Sequence, residues 1–93
     1  MSLPEKGTIV HLSGLDNRAE AELARAIALA LRSELEGSRA LVKTIGRWTG
    51  ASDRAIKNWL AGTTVPGGFH LLTLMRKSDA VYKVMISAAG RRG

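Results

Sequence analysis

The sequence predicts an all-α domain of five helices that follows an extended N-terminal arm. Apolar residues recur every three or four positions through most of the chain, which is the spacing of a buried helical stripe. Capping residues and glycines separate these stripes at short intervals. A short run, residues 8–12, is β-prone, and it has no obvious partner strand.

Composition predicts a single folded domain that works in the cytoplasm. The chain has 93 residues, of which 45% are hydrophobic and 24% are charged, as in globular proteins. It contains no cysteine, which excludes a disulfide framework and a cysteine-ligated zinc site. The sequence has no run of about 18 apolar residues, so no membrane span is predicted. The N-terminus lacks the pattern of a secretion signal.

The positive charge is concentrated in one part of the chain. Residues 1–38 carry four Lys or Arg against six Asp or Glu, whereas residues 39–93 carry ten against two. These segments therefore have net charges of −2 and +8, within a total of +6. Such a distribution favours an anionic polymer as partner, although a basic surface can also serve solubility alone.

The chain divides into an arm at 1–15, a helical domain at 16–89 and a basic tail at 90–93. The run at 8–12 either pairs with another copy or remains extended, because a lone strand cannot satisfy its own backbone. Asn17 and Glu20 match a capping box, so the first helix is predicted from there to about Glu36.

Four shorter helices are predicted after the first. A serine precedes several of them and a glycine follows others, as helix caps require. The predicted elements are a helix from Arg39 to about Trp48 capped by Ser38, one from Ser52 to Gly62, one over about Phe69–Lys77, and one from Ser78 or Asp79 to about Ala89. Their predicted inward residues are Leu41, Val42, Ile45 and Trp48, then Ala55, Ile56, Trp59 and Leu60, then Leu71, Leu72 and Met75.

The second and third helices, joined by a tight glycine turn, form a helix-turn-helix pattern. Residues 41–62, LVKTIGRWTGASDRAIKNWLAG, resemble the motif of phage lambda repressor and Cro-type proteins. A small residue, Gly46, lies at the expected helix crossing. Gly50 ends the second helix in the turn and is expected in the left-handed conformation that glycine adopts at low cost. The resemblance covers residues 20–85 and also rests on inward Ile45, Ala51, Ile56 and Trp59, on the spacing from Gly62 to Pro66, and on Leu71, Leu72 and Leu74 in the next helix. Thr49 departs from the pattern, since the family usually has a larger apolar residue there.

The resemblance implies that the third helix enters the major groove of DNA. Carried over to this sequence, the base-reading residues are Ser52, Asp53, Arg54, Lys57 and Asn58. Arg54 suits guanine and Asn58 suits adenine, each through paired hydrogen bonds. Lys57 suits guanine or a phosphate. Asp53 either accepts from a cytosine amino group or orients Arg54.

Basic and hydroxyl residues flank this helix and suit contacts with the DNA backbone. They are Lys43, Thr44, Arg47, Thr63 and Thr64. The stripe of Arg39, Lys43 and Arg47 is also compatible with a merely solvated face. The two tryptophans could stack on bases, but their helical spacing favours core packing.

No catalytic, metal or cofactor site is predicted. His11 and His70 are isolated, and no nucleophile lies in a recognisable arrangement with a base. The predicted function is therefore sequence-specific binding of double-stranded DNA by a transcriptional regulator, with no small-molecule substrate. The alternative is a protein-interaction adaptor of the same fold that binds an acidic protein and reads no bases, which Asp53 favours.

A homodimer is predicted, because family members usually place two recognition helices on half-sites about 34 Å apart. Two segments are candidates for its interface. One is the run at 8–12, and the other is the last helix, where Tyr82 and Ile86 leave apolar surface outside the stripe of Val81, Val84, Met85 and Ala88.

Overall fold

The computed structural model describes residues 3–35 and 40–90, with side chains described from residue 18 onward. The described chain contains five α-helices and no strand: α1 Leu3–Glu34, α2 Leu41–Thr49, α3 Asp53–Ala61, α4 Gly68–Lys77 and α5 Asp79–Ala89. The predicted all-α class is confirmed for this part of the chain. Arg91 and Arg92 of the basic tail lie outside the described residues.

The predicted extended arm is wrong, because α1 already begins at Leu3 and continues without interruption to Glu34. The strand-prone run at 8–12 and the expected start at Asn17 both lie inside this helix. A helix satisfies its backbone hydrogen bonds within one segment, whereas a strand needs a neighbour that this chain does not offer. The β-preference of Thr, Ile and Val depends on such a neighbour, so it does not decide the conformation here.

The second helix begins later than predicted. It starts at Leu41 and ends at Thr49, and Ala40 occupies its N-cap position without a side-chain cap. The predicted cap Ser38 and the predicted first residue Arg39 lie outside the described residues. The predicted caps Ser52 and Ser78 are confirmed, since they precede α3 and α5 and accept hydrogen bonds from the first turns of these helices. The fourth helix begins at Gly68, one residue before the predicted start.

One hydrophobic core joins all five helices. Side chains with no exposed surface come from every helix, and they are Ile27 and Leu31 of α1, Ile45 of α2, Ile56 of α3, Leu74 of α4 and Val81 of α5. Trp59 and Leu60 of α3 complete the buried cluster. Because α1 and α2 both pack onto α3, its position is fixed from two sides.

Leu72 was predicted to face inward, and this is wrong: 46% of it is exposed, whereas Leu74 is fully buried. Successive residues of a helix lie about 100° apart, so Leu71, Leu72 and Leu74 cannot all share one narrow face. Leu71 and Met75 flank Leu74 toward the core, as predicted for both. Leu72 is therefore turned toward the surface.

Hydrogen bonds join the end of α1 to the start of α5. Ser78 is fully buried, and its hydroxyl donates to Glu34 Oε1 at 2.9 Å while accepting from the Val81 amide. The same carboxylate oxygen accepts from the Ala80 amide at 3.1 Å. A carboxylate from the end of α1 thus joins Ser78 in capping α5, where the helix dipole favours negative charge.

Candidate nucleic-acid interface

The turn between α2 and α3 is held by Thr49, the last residue of α2. Its side chain is buried, and its hydroxyl donates to the Ile45 carbonyl at 2.8 Å. The same oxygen accepts from the Ala51 amide at 3.1 Å. The hydroxyl therefore satisfies backbone groups on both sides of the turn, which explains how a polar side chain is accommodated at this buried position.

Two glycines of this unit have different roles. Gly50 adopts a left-handed conformation with φ of +74°, as predicted, and its amide donates to the Gly46 carbonyl at 2.7 Å. Gly46 itself is helical. A methyl carbon added to Gly46 would lie 3.5 Å from Ile56 Cδ1, which is an ordinary contact distance. The turn therefore needs glycine at Gly50, whereas the crossing of α2 and α3 does not need it at Gly46.

Both ends of α3 are capped as predicted. The Ser52 hydroxyl accepts from the Ala55 amide at 3.2 Å, and its own proton stays available for donation. At the other end Gly62 is left-handed with φ of +77°. A methyl carbon there would lie only 3.4 Å from the Arg25 Cα, so α1 packs closely against the end of α3. These contacts fix the length of α3 and its direction.

The predicted base-reading residues all lie on one exposed surface. Ser52 precedes α3, and the α3 outer face consists of Asp53, Arg54, Lys57 and Asn58, all exposed. The opposite face carries Ile56, Trp59 and Leu60, all buried. Among the described residues, Arg54 and Lys57 have no ion-pair partner, so both cations are available to an anionic ligand.

Asp53 has a structural contribution independent of any ligand. It lies in the first turn of α3, where a carboxylate is favoured by the helix dipole. It also lines a shallow recess together with Lys43 and with Val42 of α2. The charge of Lys43 thus lies on the same side of the unit as Asp53, which reduces the repulsion between that carboxylate and an approaching phosphate.

The predicted phosphate-contacting residues divide into two groups. Lys43, Arg47 and Thr64 are exposed and Thr44 is half-buried. Thr63 differs, because its hydroxyl donates to the Asn58 carbonyl at 3.0 Å and its amide donates to the same oxygen at 3.1 Å. Since a phosphate only accepts hydrogen bonds, Thr63 has no donor left for it.

The tryptophans belong to the core. Trp59 is 4% exposed, and its ring lies 5.5 Å from that of His70. Trp48 is half-buried and packs against the same cluster. Stacking on nucleic-acid bases would require an exposed ring face, so the core-packing interpretation is the correct one for Trp59.

Two polar contacts that position α3 escaped the sequence analysis. Arg32 Nε donates to the Leu60 carbonyl at 3.0 Å, which places a cation at the negative end of α3. The second contact is that of the Thr49 hydroxyl, which forms hydrogen bonds with backbone groups on both sides of the turn. Arg32 and Leu60 lie 28 positions apart, so no local pattern could have indicated their contact. Thr49 has a weak local signal, namely a hydroxyl residue directly before a glycine turn.

The described residues meet the requirements neither of a metal site nor of a membrane-spanning helix. No group of three His, Asp or Glu side chains in this part of the chain could hold a metal ion. Likewise, no helix within the described ranges is long and apolar enough to cross a membrane. Comparisons with protein-family models, curated proteins and solved structures find no match.

Proposed function

We propose that this protein binds double-stranded DNA in a sequence-specific manner through a helix-turn-helix made of α2 and α3. The observation that carries the proposal is the α3 outer face, which has two cations and an amide on a short, capped helix. The major groove admits one α-helix, and Arg and Asn side chains match guanine and adenine there. In this proposal Arg54 and Asn58 read bases.

The surroundings of α3 support DNA over other anionic partners. Lys43 and Arg47 lie on the exposed side of α2, and Thr64 follows α3, so donors flank the base-reading residues. Contacts of this kind hold a domain in register on the DNA backbone without reading sequence. With no catalytic arrangement in view, we propose transcriptional regulation as the role, with no enzymatic activity and no cofactor.

We further propose that two copies bind together through α5. Tyr82 and Ile86 lie one helical turn apart, and 50% and 53% of their surfaces are exposed. A two-fold contact would cover this pair on both copies at once. Sedimentation analysis is expected to find a dimer on DNA, and the double variant Tyr82→Ser with Ile86→Ser is expected to lose it. An unchanged mass for that variant would exclude this interface.

Salt dependence of binding tests the proposed backbone contacts. Each cation that contacts a phosphate releases counterions, so Lys43→Ala or Arg47→Ala is expected to lower the slope of log affinity against log salt by about 0.9. Both variants are expected to weaken binding to every duplex by a similar factor. Fluorescence anisotropy with random-sequence duplexes measures both quantities.

The matched control for this experiment is Lys77→Ala, because Lys77 is an exposed cation at the end of α4, outside both the α2–α3 unit and the proposed dimer contact on α5. It removes the same net charge. An equal change in slope for Lys77→Ala would mean that only total charge matters, and would contradict the proposed interface. Preferential binding to an acidic protein surface, with no duplex binding at moderate salt, would favour the adaptor alternative.

A further inference from the structure

An exposed leucine on α1 lies between two arginines. Arg25, Leu29 and Arg32 follow one another at intervals of four and three residues, which places them on the same side of the helix. Leu29 is 69% exposed, and this side of α1 lies away from the core residues Ile27 and Leu31. Single exposed leucines are common on proteins, so the surroundings of Leu29 decide whether it has a role.

Those surroundings are concave. The end of α3 packs against α1 at Gly62, and Arg32 Nε binds the Leu60 carbonyl. Between the helices lies an open recess of about 300 Å³, here called the α1–α3 recess. It is lined by Arg25, Ala28, Leu29, Arg32, Leu60, Ala61 and Gly62.

The chemistry of the recess is apolar in the middle and cationic at the sides. Ala28 and Leu60 are buried at its base, and Leu29 adds an exposed apolar wall. Within the part of the chain that the structure describes, neither arginine has an ion-pair partner. The hydrogen bond to Leu60 uses only Nε of Arg32, so its terminal NH₂ groups stay available in a fixed orientation for a carboxylate.

We propose that the α1–α3 recess docks an acidic amphipathic helix of a partner protein. An apolar side chain of that helix would cover Leu29 and Leu60, and carboxylates one turn away would pair with Arg25 and Arg32. Charge complementarity selects an acidic occupant. The apolar centre selects a protein segment over a nucleic-acid backbone, which would leave Leu29 uncovered.

The recess lies away from the start of α3, where the proposed base-reading residues begin. Asp53 and Ala61 lie at opposite ends of α3, roughly 12 Å apart along the helix axis. The α3 outer face starts at the Asp53 end, whereas the recess, like the proposed phosphate contact Thr64, is at the Ala61 end. The docking inference rests on residues of the recess and not on the base-reading residues, so the two proposals can fail separately.

A synthetic acidic peptide tests the docking site on the full chain. The probe is an amphipathic helix of about four turns with leucines on one face and glutamates beside them. Titration followed by amide NMR shifts is expected to give saturable changes at residues 25–32 and 60–62. Leu29→Ser is expected to reduce the affinity at least about tenfold without altering the melting temperature, because Leu29 is exposed. Arg25→Gln is expected to reduce the affinity as well.

The matched control is Leu72→Ser, which removes an exposed leucine on α4 and is expected to leave peptide binding unchanged. Two further peptides complete the design, one with its leucines shuffled and one with lysine in place of glutamate; neither is expected to bind. Shifts centred on Arg54 and Lys57, equal binding of either control peptide, or no saturable shift up to about 1 mM peptide would overturn the proposal. Self-association of the chain that Leu29→Ser abolishes would also overturn it, since the occupant would be a second copy.

Discussion

The two faces of α3 differ in what determines their residues. Ile56, Trp59 and Leu60 are buried in the core. Arg54 and Asn58 on the opposite face are exposed, and their side chains have no hydrogen-bond or ion-pair partner among the described residues. The fold accounts for the first set, since apolar side chains of that size fill the core. It leaves the residue types of the second set undetermined. The proposed base contacts would account for two cations and an amide on that face.

Truncation of the buried face is expected to have the largest effect. Ile56→Ala removes a fully buried side chain of the core cluster, so it is expected to lower the free energy of unfolding by about 2–5 kcal/mol. Denaturant titration followed by circular dichroism measures this change. The adjacent variant Lys57→Ala is the control and is expected to change stability by less than about 0.5 kcal/mol. Similar losses for the two variants would contradict the assignment of faces.

Truncation of the outer face is expected to act on binding alone. Arg54→Ala and Asn58→Ala each remove a proposed paired contact to one base, so each is expected to weaken binding to the preferred duplex by about 1–3 kcal/mol. Affinity for random duplexes is expected to change far less, and the melting temperature to stay the same. Competition binding with specific and random duplexes measures the difference. Equal losses on both duplexes would refute base reading by these residues.

Alanine substitution at the two glycines, Gly46 in α2 and Gly50 in the turn, is expected to change the stability of the protein in opposite directions. Gly50→Ala places a side chain at φ of +74° and is expected to cost about 1–2 kcal/mol. Gly46→Ala adds a methyl group at an ordinary distance from Ile56 and is expected to stabilise the protein by up to about 1 kcal/mol. Thermal melts of both variants test this, and destabilisation by Gly46→Ala would show that the crossing requires glycine.

The smallest expected change in stability concerns two serines, Ser78 directly before α5 and Ser87 within it. Ser78→Ala removes the cap shared with Glu34 and is expected to cost about 1 kcal/mol. Ser87→Ala alters an exposed serine of the same helix and is expected to be nearly neutral. Chemical denaturation of the pair measures the difference. If Ser78→Ala were also neutral, the link between Glu34 and α5 would contribute nothing to stability.

The sequence was sufficient to predict the elements whose determinants are local. Ser52 and Gly62 mark the ends of α3 through backbone preferences within one turn, and both predictions are confirmed. Gly50 was assigned its left-handed conformation for the same reason. The alternation of buried and exposed positions along α3 also follows from helical spacing alone.

Features that depend on distant neighbours were beyond sequence reasoning. The conformation of residues 3–15 depends on whether a partner strand exists, and local β-preference pointed the wrong way. The run at 71–74 offers three leucines, and only packing decides that Leu72 is the one turned outward. The hydrogen bond between Ser78 and Glu34 spans 44 positions. The hydroxyl and the amide of Thr63 both donate to the Asn58 carbonyl because of the path that the chain takes after α3.

Selection of bound sequences from a pool of random duplex DNA tests the central claim most directly. The α3 outer face is proposed to read bases, so the full chain is expected to enrich one site made of two symmetric halves about one helical turn apart. The same selection with Arg54→Ala is expected to lose the preference at one position of each half and to keep the rest. Recovery of no enriched site, or of the same site by a variant lacking both Arg54 and Asn58, would contradict base recognition by α3.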